Sequence, residues 1–253
     1  GIGIGRIEYL DTRQDLHAST VQRGIKEAIE RSARQLLDLQ RRVDATLSDV
    51  AAMIFSSHLL MLSDDSFVGE MVRLHESGLG PVEAVQTVVA TFTDRFAAIP
   101  DPRFQEKVQD VQDLGNRIIH NIENREEAEG DYHGHVVAAH DIFPSELVKL
   151  YLQNVEGLVF AGGGATGHVA ILAQSLEIPV VATPDPRLFS IPVGTDIIVD
   201  AEDGKIIIGP PREVLNNYRS RVDDIRIRAE SPRRRIPFPL TTSDGTEIAL
   251  YSN

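Results

Sequence analysis

The sequence predicts an α/β fold interrupted by a long all-α insertion, and three observations lead there. A single strand-like segment opens the chain, where Ile2, Ile4 and Ile7 alternate with small residues. From Gln14 to Asn121 the apolar residues then follow helical spacing. After Tyr132, short apolar runs alternate with helical stretches, the pattern of strands joined by crossover helices. The opening strand therefore belongs to a sheet completed more than a hundred residues later.

The elements follow in order. Gly1 to Leu10 reads as a strand whose glycines admit close neighbours. Val21, Ile25, Ala28, Ile29, Leu36, Leu39, Val43, Leu47 and Val50 form a helical stripe, so Gln14–Leu62 reads as long helix. The stripe drifts from a strict heptad and Gly24 interrupts it, which favours packing in a helical-hairpin bundle over a free coiled coil. Ser63-Asp64-Asp65-Ser66 breaks this helix and supplies a cap for the next, which carries Phe67, Val68, Met71, Val72 and Leu74. Gly78-Leu79-Gly80-Pro81 is a stop, and a further helix over 82–96 turns Val85, Val88, Val89 and Phe92 inward until Ile99-Pro100-Asp101-Pro102 closes it. A fourth helical region covers 105–121.

In the second half, strands are expected at 135–139, 157–160, 179–182 and 196–200, with helices at 145–152 and 169–176 between the first three. Residues 201–208 read as a hairpin with Asp203-Gly204 in its turn. A helix over 211–228 carries Val214, Leu215, Tyr218, Val222 and Ile225, and Ser231-Pro232 ends it. The expected domains are 1–13 with 128–210 as one discontinuous α/β domain, 14–127 as the helical insertion, 211–235 as a linker helix and 236–253 as the start of something further.

Composition narrows the partners. With 25 Lys and Arg against 38 Asp and Glu, the formal charge is −13, which argues against nucleic acid and anionic membranes. From Asp44 to Asp113, twelve Asp or Glu face four Lys or Arg, a local −8. Such a helical surface is either a solvated face or a dock for a basic protein. No run approaches the roughly 18 apolar residues of a membrane span, and the opening residues lack a secretory pattern. The absence of cysteine excludes disulfides and thiol chemistry and agrees with a cytoplasmic location.

The most informative stretch is Val159-Phe160-Ala161-Gly162-Gly163-Gly164-Ala165-Thr166-Gly167-His168-Val169-Ala170-Ile171: a buried-strand pattern, a glycine loop and a helix start. Glycines let backbone N–H groups approach a ligand, and the positive end of a helix dipole favours an anion. Gly163, Gly164, Thr166 and Gly167 are the candidate phosphate cradle. His168 stands where loop becomes helix, and a neutral imidazole is a nucleophile. An ordinary strand-to-helix turn with a solvent-facing histidine fits the spacing equally well. The loop has neither the Gly-Lys-Ser/Thr of a P-loop nor the Gly-x-Gly-x-x-Gly of a dinucleotide fold. His133, His135, Asp131 and His140 are metal-ligand types without a standard zinc spacing, and His58, inside an apolar helical stretch, reads as a core or interface side chain.

Gly163 to Ile171 resembles the phosphohistidine motif of phosphoenolpyruvate-utilising enzymes, Gly-Gly-x-Thr-Ser-His-x-Ala-Ile, with Gly167 in place of the serine. Within that superfamily the chain is most similar to the amino-terminal half of enzyme I of the phosphotransferase system, in its sugar or nitrogen-related branch. Asp141-Ile142-Phe143-Pro144-Ser145-Glu146 resembles Asp-Leu-Thr-Pro-Ser-Glu, Asp110 to Arg117 resembles Asp-Val-x-Asp-Ile-Gly-x-Arg, and Ser57 to Asp65 resembles Gly-His-x-x-Leu-Leu-x-Asp.

The resemblance implies a swivelling phosphohistidine domain with an inserted helical bundle. It implies that His168 Nε2 takes a phosphoryl group from phosphoenolpyruvate and passes it to an HPr-like histidine phosphocarrier. The helical insertion would dock that carrier, with Phe67, Met71 and Leu79 as apolar contacts beside Asp64 and Asp65; those apolar residues fit a core role equally. Phosphoenolpyruvate and Mg2+ would bind a barrel domain that residues 236–253 only begin, so no cofactor is expected on this chain. Leu147 stands where the family often has a threonine that orients the histidine. Two rivals remain: the phosphohistidine domain of a pyruvate phosphate dikinase-like enzyme, against which the helical insertion speaks, and a non-catalytic helical adaptor.

Overall fold

The computed structural model describes residues 1–10, 23–43, 49–124, 131–161, 167–230, 240–241 and 247–248. The chain divides into two compact units, Gly1–Pro210 and Pro211–Asn253. The first is built on a six-stranded sheet: β1 (Ile2–Tyr9), β2 (His135–Ala139), β3 (Gly157–Ala161), β4 (Val180–Thr183), β5 (Asp196–Asp200) and β6 (Lys205–Ile208). Their order in space is β4-β3-β2-β1-β5-β6. The first four named in that order run parallel, and β5 and β6 are antiparallel additions on the far side of β1.

Parallel neighbours need crossovers. Between β1 and β2 the connection carries α1 (Ile25–Val43), α2 (Asp49–Leu62), α3 (Glu70–Glu76), α4 (Pro81–Ala97) and α5 (Pro102–Ile122). The two later crossovers are single helices, α6 (Pro144–Leu152) and α7 (Gly167–Ser175). β5 and β6 form a hairpin whose turn places Gly204 at φ +63°.

The apolar runs of β2 and β3 serve two layers. Val137, Ala139, Leu158 and Phe160 belong to a core shared with the helices, while Val136, Ala138 and Val159 face a second, smaller core with Ile7, Ile197, Val199 and Leu188. Alternation by two therefore hides inside a continuous apolar run, because both faces are covered. Leu188 comes from a 3-10 turn, Pro186–Ser190, which covers the second face. In β1, a Cβ on Gly3 would collide with the backbone of Glu156 and Gly157, so only glycine fits there.

Several boundaries differ from the sequence reading, each for a local reason. The expected long helix is two helices, α1 and α2, and residues 11–22 and 44–48 lie outside the described residues. Gly24 does not interrupt α1 but precedes it, its carbonyl accepting from Ala28 N–H. After α2 the chain forms a π-helical turn, Asp65–Gly69, capped by the Asp64 carboxylate on Ser66 N–H, before α3. Pro81, Pro102 and Pro144 each open a helix: proline lacks only an N–H that the first turn leaves free, so it starts a helix as readily as it ends one.

Helices α4 and α5 pack closely. Gly115 of α5 lies against Val89 of α4, where a Cβ would come within 2.5 Å of Val89 Cγ2. The second unit contains α8 (Arg212–Glu230) and a short antiparallel pair, β7 (Leu240–Thr241) with β8 (Glu247–Ile248).

Gly115→Ala should lower stability by about 1–2 kcal/mol despite alanine's better helix propensity, because the added methyl overpacks the α4–α5 contact. The thermal midpoint measures this. Adding Val89→Ala should recover most of the loss; a single variant as stable as the parent would show that the helices separate without penalty.

Candidate functional site

Helix α7 starts at the carboxyl end of β3, where a parallel sheet gathers its strand ends and binding residues cluster. Val169, Leu172, Ala173 and Leu176 repeat at helical spacing and are buried, whereas Ala170, Ile171 and Gln174 are exposed. This one-sided pattern seats α7 against α6 and α2, both of which it contacts. His168 is the second residue of α7, within the turn whose backbone N–H groups have no intrahelical partner. Gly167 opens the helix, while Gly163, Gly164 and Thr166 lie outside the described residues.

Other groups collect at the same end of the sheet. His140 follows β2 and stacks on Phe189 with ring centroids 3.9 Å apart. Tyr9 at the end of β1 directs its hydroxyl to the carbonyls of Leu188 and Ile191, 2.8 and 2.6 Å away, tying the 3-10 turn to the sheet. Beyond β4, hydrogen bonds from Arg187 hold the exposed Asp185 carboxyl down to about 2. At the opposite end of the sheet, before β2 and β3, His133 faces Glu156 at 3.4 Å, and His135 Nδ1 donates to the His133 carbonyl. Among the described residues no group of three or more His, Asp or Glu could hold a metal ion.

Three of the motifs read in the sequence meet in a buried polar seam between α2, α5 and α6. His58 of α2 is fully buried and its Nε2 lies 3.2 Å from Asp110 Oδ1 of α5. Its Nδ1 meets no hydrogen-bond partner among the described residues. Lys107 donates to both Asp110 and Ser57 at 2.8 Å. Burial alone would raise the Asp110 carboxyl, but His58 and Lys107 outweigh it and hold it below its ordinary range. One turn along α5, Asp113 accepts from Ser145 Oγ at 2.7 Å and from Ser145 N–H at 3.3 Å, capping α6 from another helix. Glu146 in turn accepts from Phe143 N–H at 3.0 Å, half of a capping box. Leu147, in place of the expected threonine, is fully buried.

The expected carrier contacts divide. Phe67 and Met71 are 1% and 0% exposed, and Phe67 packs edge-on against Phe92, so they are core and not surface contacts. The π-helical turn and α3, which carry them, bury one face and expose the other, and sequence spacing cannot tell a core face from a docking face. Leu79 is half-buried, its carbonyl accepting from His75 Nδ1. Asp64 and Asp65 are exposed, the latter paired with Arg73 at 3.1 Å. Sequence reading passed over Leu60, which is 73% exposed on α2, and Ile171, 44% exposed on α7. Leu60 lies inside the unbroken run Leu59 to Leu62, which gives no sign that one member points outward.

A family model described as "PEP-utilising enzyme, N-terminal" matches residues 1–107, and one described as "PEP-utilising enzyme, mobile domain" matches residues 131–204. The two stand in order and span most of the chain. The chain belongs to the PEP-utilising enzymes. It is 26% identical over 235 residues to the phosphoenolpyruvate-protein phosphotransferase of Priestia megaterium, an alignment covering 90% of this chain and 40% of the relative. The protein of that name from Buchnera aphidicola subsp. Schizaphis graminum is 24% identical over 265 residues, covering 100% and 46%. A solution structure of Enzyme I shares 25% identity with a TM-score of 0.69 and covers 89% of this chain and 96% of that one. A structure of the N-terminal domain of "Enzyme 1 - Nitrogen", 22% identical with a TM-score of 0.59 and covering 88% and 96%, shows the same helical plus α/β fold. This PEP-utilising enzyme chain thus spans less than half the length of these curated relatives.

Its seam also has an acid-base consequence. Burial, and secondarily the Asp113 charge, raise the Glu146 carboxyl above its ordinary value of 4.5, although the Phe143 hydrogen bond, Lys149 and Arg117 oppose this. The folded state therefore holds the Glu146 proton more tightly than the unfolded chain does. That contribution is complete below the ordinary glutamate range and is lost as pH rises through the raised value. Glu146→Gln keeps an acceptor for Phe143 N–H and removes the titration, so the variant should gain stability relative to the parent as pH goes from 4 to 8. Urea unfolding across that range measures it; parallel curves would refute the raised value.

Proposed function

We propose that this chain is the phosphoryl-transfer part of a phosphoenolpyruvate-protein phosphotransferase, with His168 as the residue that carries the phosphoryl group. The observation that carries the reading is the placement of His168 in the first turn of α7, following a glycine-rich sequence, after one of the sheet's four parallel strands. In the donor step, the lone pair of His168 Nε2 attacks phosphorus. The P–O bond of phosphoenolpyruvate breaks, and the enolate takes a proton to become pyruvate. In the second step, a ring nitrogen of an HPr-like carrier attacks the same phosphorus, and the P–N pair returns to Nε2. Backbone N–H groups of the loop and of the α7 turn stabilise the phosphoryl oxygens, and positioning supplies most of the rate.

Phosphoenolpyruvate and its magnesium belong, in this proposal, to a separate barrel domain, where the ion would neutralise donor phosphate charge. The description of the α/β part as a swivelling phosphohistidine domain with an inserted helical-hairpin bundle, and a cytoplasmic location, belong to the same reading. A non-catalytic adaptor is the reading it displaces.

His168→Gln fills similar space without a nucleophilic nitrogen. The variant should fold normally yet acquire none of the acid-labile phosphate mass that the parent acquires from a phosphorylated HPr-like carrier. Phosphate retained in the variant, or found on another histidine, would refute the assignment.

The proposed carrier dock comprises Leu60 and Leu79 with Asp64 and Asp65, inside the stretch of net charge −8, and the 73% exposure of Leu60 supports it. Leu60→Glu should weaken carrier binding about tenfold or more, and affinity in the parent should fall as salt screens the acidic surface. Calorimetric titration at two salt concentrations tests both; unchanged affinity in the variant would move the dock elsewhere.

A further inference from the structure

Helix α7 rests on α6 and α2, and its own buried residues, Val169, Leu172 and Ala173, are apolar, as is Leu176 just after it. Apolar contact is non-directional, so by itself it tolerates sliding. The directional restraint lies one layer away, on α5. Asp110 and Asp113 are three residues apart and therefore on one face of that helix, 2% and 3% exposed. Each reaches a different neighbour: Asp110 binds His58 of α2, and Asp113 binds the N–H and hydroxyl of Ser145 at the start of α6. Both supports of α7 are thus tied to a single turn of α5.

Two carboxylates in a core cost stability unless fully partnered, and apolar residues would pack as well. Their return is geometry, since hydrogen bonds of 2.7 to 3.3 Å set where α2 and α6 stand along and around their axes. We infer that Asp110 and Asp113 are positioning residues for His168, a two-pronged clamp that fixes the two helices on which α7 rests. Neither touches the reacting atoms. The inference rests on the phosphotransfer reading above, in which displacing the nucleophile by about 1 Å slows the step up to 100-fold.

The test uses the full chain and a labelled, phosphorylated HPr-like histidine carrier, following label onto His168 in a single turnover at rising carrier concentration. Asp113→Ala, Ser145→Ala and Asp110→Ala should each lower the saturating rate about 10- to 100-fold. For Asp113→Ala and Ser145→Ala the half-saturating carrier concentration should stay within about twofold, because that prong holds α6 and not α2, the helix that carries Leu60 of the dock. Asp110→Asn and Asp113→Asn, which keep an acceptor oxygen, should recover part of the rate. Asp113→Ala combined with Ser145→Ala should be no slower than the slower single variant, since both cut the same prong.

Circular dichroism and urea unfolding establish that each variant is folded at the assay temperature, and Ser145→Ala and the asparagine variants keep the test open if an alanine at 110 or 113 unfolds the chain. Folded variants that transfer at the parent rate overturn the inference, as does a loss that follows only the unfolded fraction. If the unaltered chain takes no label, the phosphotransfer reading itself has failed and the clamp falls with it. That outcome appears before any variant is made.

Discussion

Two strands, β2 and β3, are apolar on both faces, and their burial constrains the rest of the first unit. A strand of this kind is stable only if each face is covered, which requires layers on both sides of the sheet. On one side the helices supply the cover, and Val137, Ala139, Leu158 and Phe160 join the same core as Leu36, Phe55, Leu114 and Ile118. The helical insertion is therefore part of the core over which α7 forms. The other side is closed more thinly by the 3-10 turn, with Leu188 inserted and Tyr9 bonded to its carbonyls.

Within that apolar setting the buried polar groups are few and placed at junctions. Asp110 joins α5 to α2, Asp113 joins α5 to α6, and Asn121 joins α5 to Ser32 and Gln35 of α1 at 2.9 and 2.8 Å. One helix, α5, thus supplies polar links to three others through residues spaced three and eight apart along it. Gly115 lies among them, where the close passage of α4 leaves no room for a side chain. The resemblance at Asp110 to Arg117 falls on a segment whose two aspartates tie α5 to α2 and to α6.

Much of the fold was legible in the sequence, and the site less so. Strands β2 and β5 begin and end where the apolar runs do, because a short apolar stretch between polar residues leaves the backbone little choice of boundary. The first residues of α4, α5 and α6 were misjudged at prolines, whose meaning depends on which side the helix lies. His168 was legible because a glycine loop before a helix start is a local pattern. Its surroundings were not: Leu60 and Phe67 are both large apolar residues near a helix break, yet one is 73% exposed and the other 1%.

By itself the sequence determined the order and type of most of the elements, the position of His168 near a helix start and the acidic character of the inserted helices, since periodicity, glycine placement and charge are properties of neighbours along the chain. Only the tertiary structure decided that β1 would lie mid-sheet between β2 and β5, that Phe67 and Met71 would be core while Leu60 faced outward, and that Asp110 and Asp113 would reach His58 and Ser145. Those pairings span 52 and 32 residues. No local rule sets such distances; they follow from how helices stack to cover a sheet that must be buried on both faces.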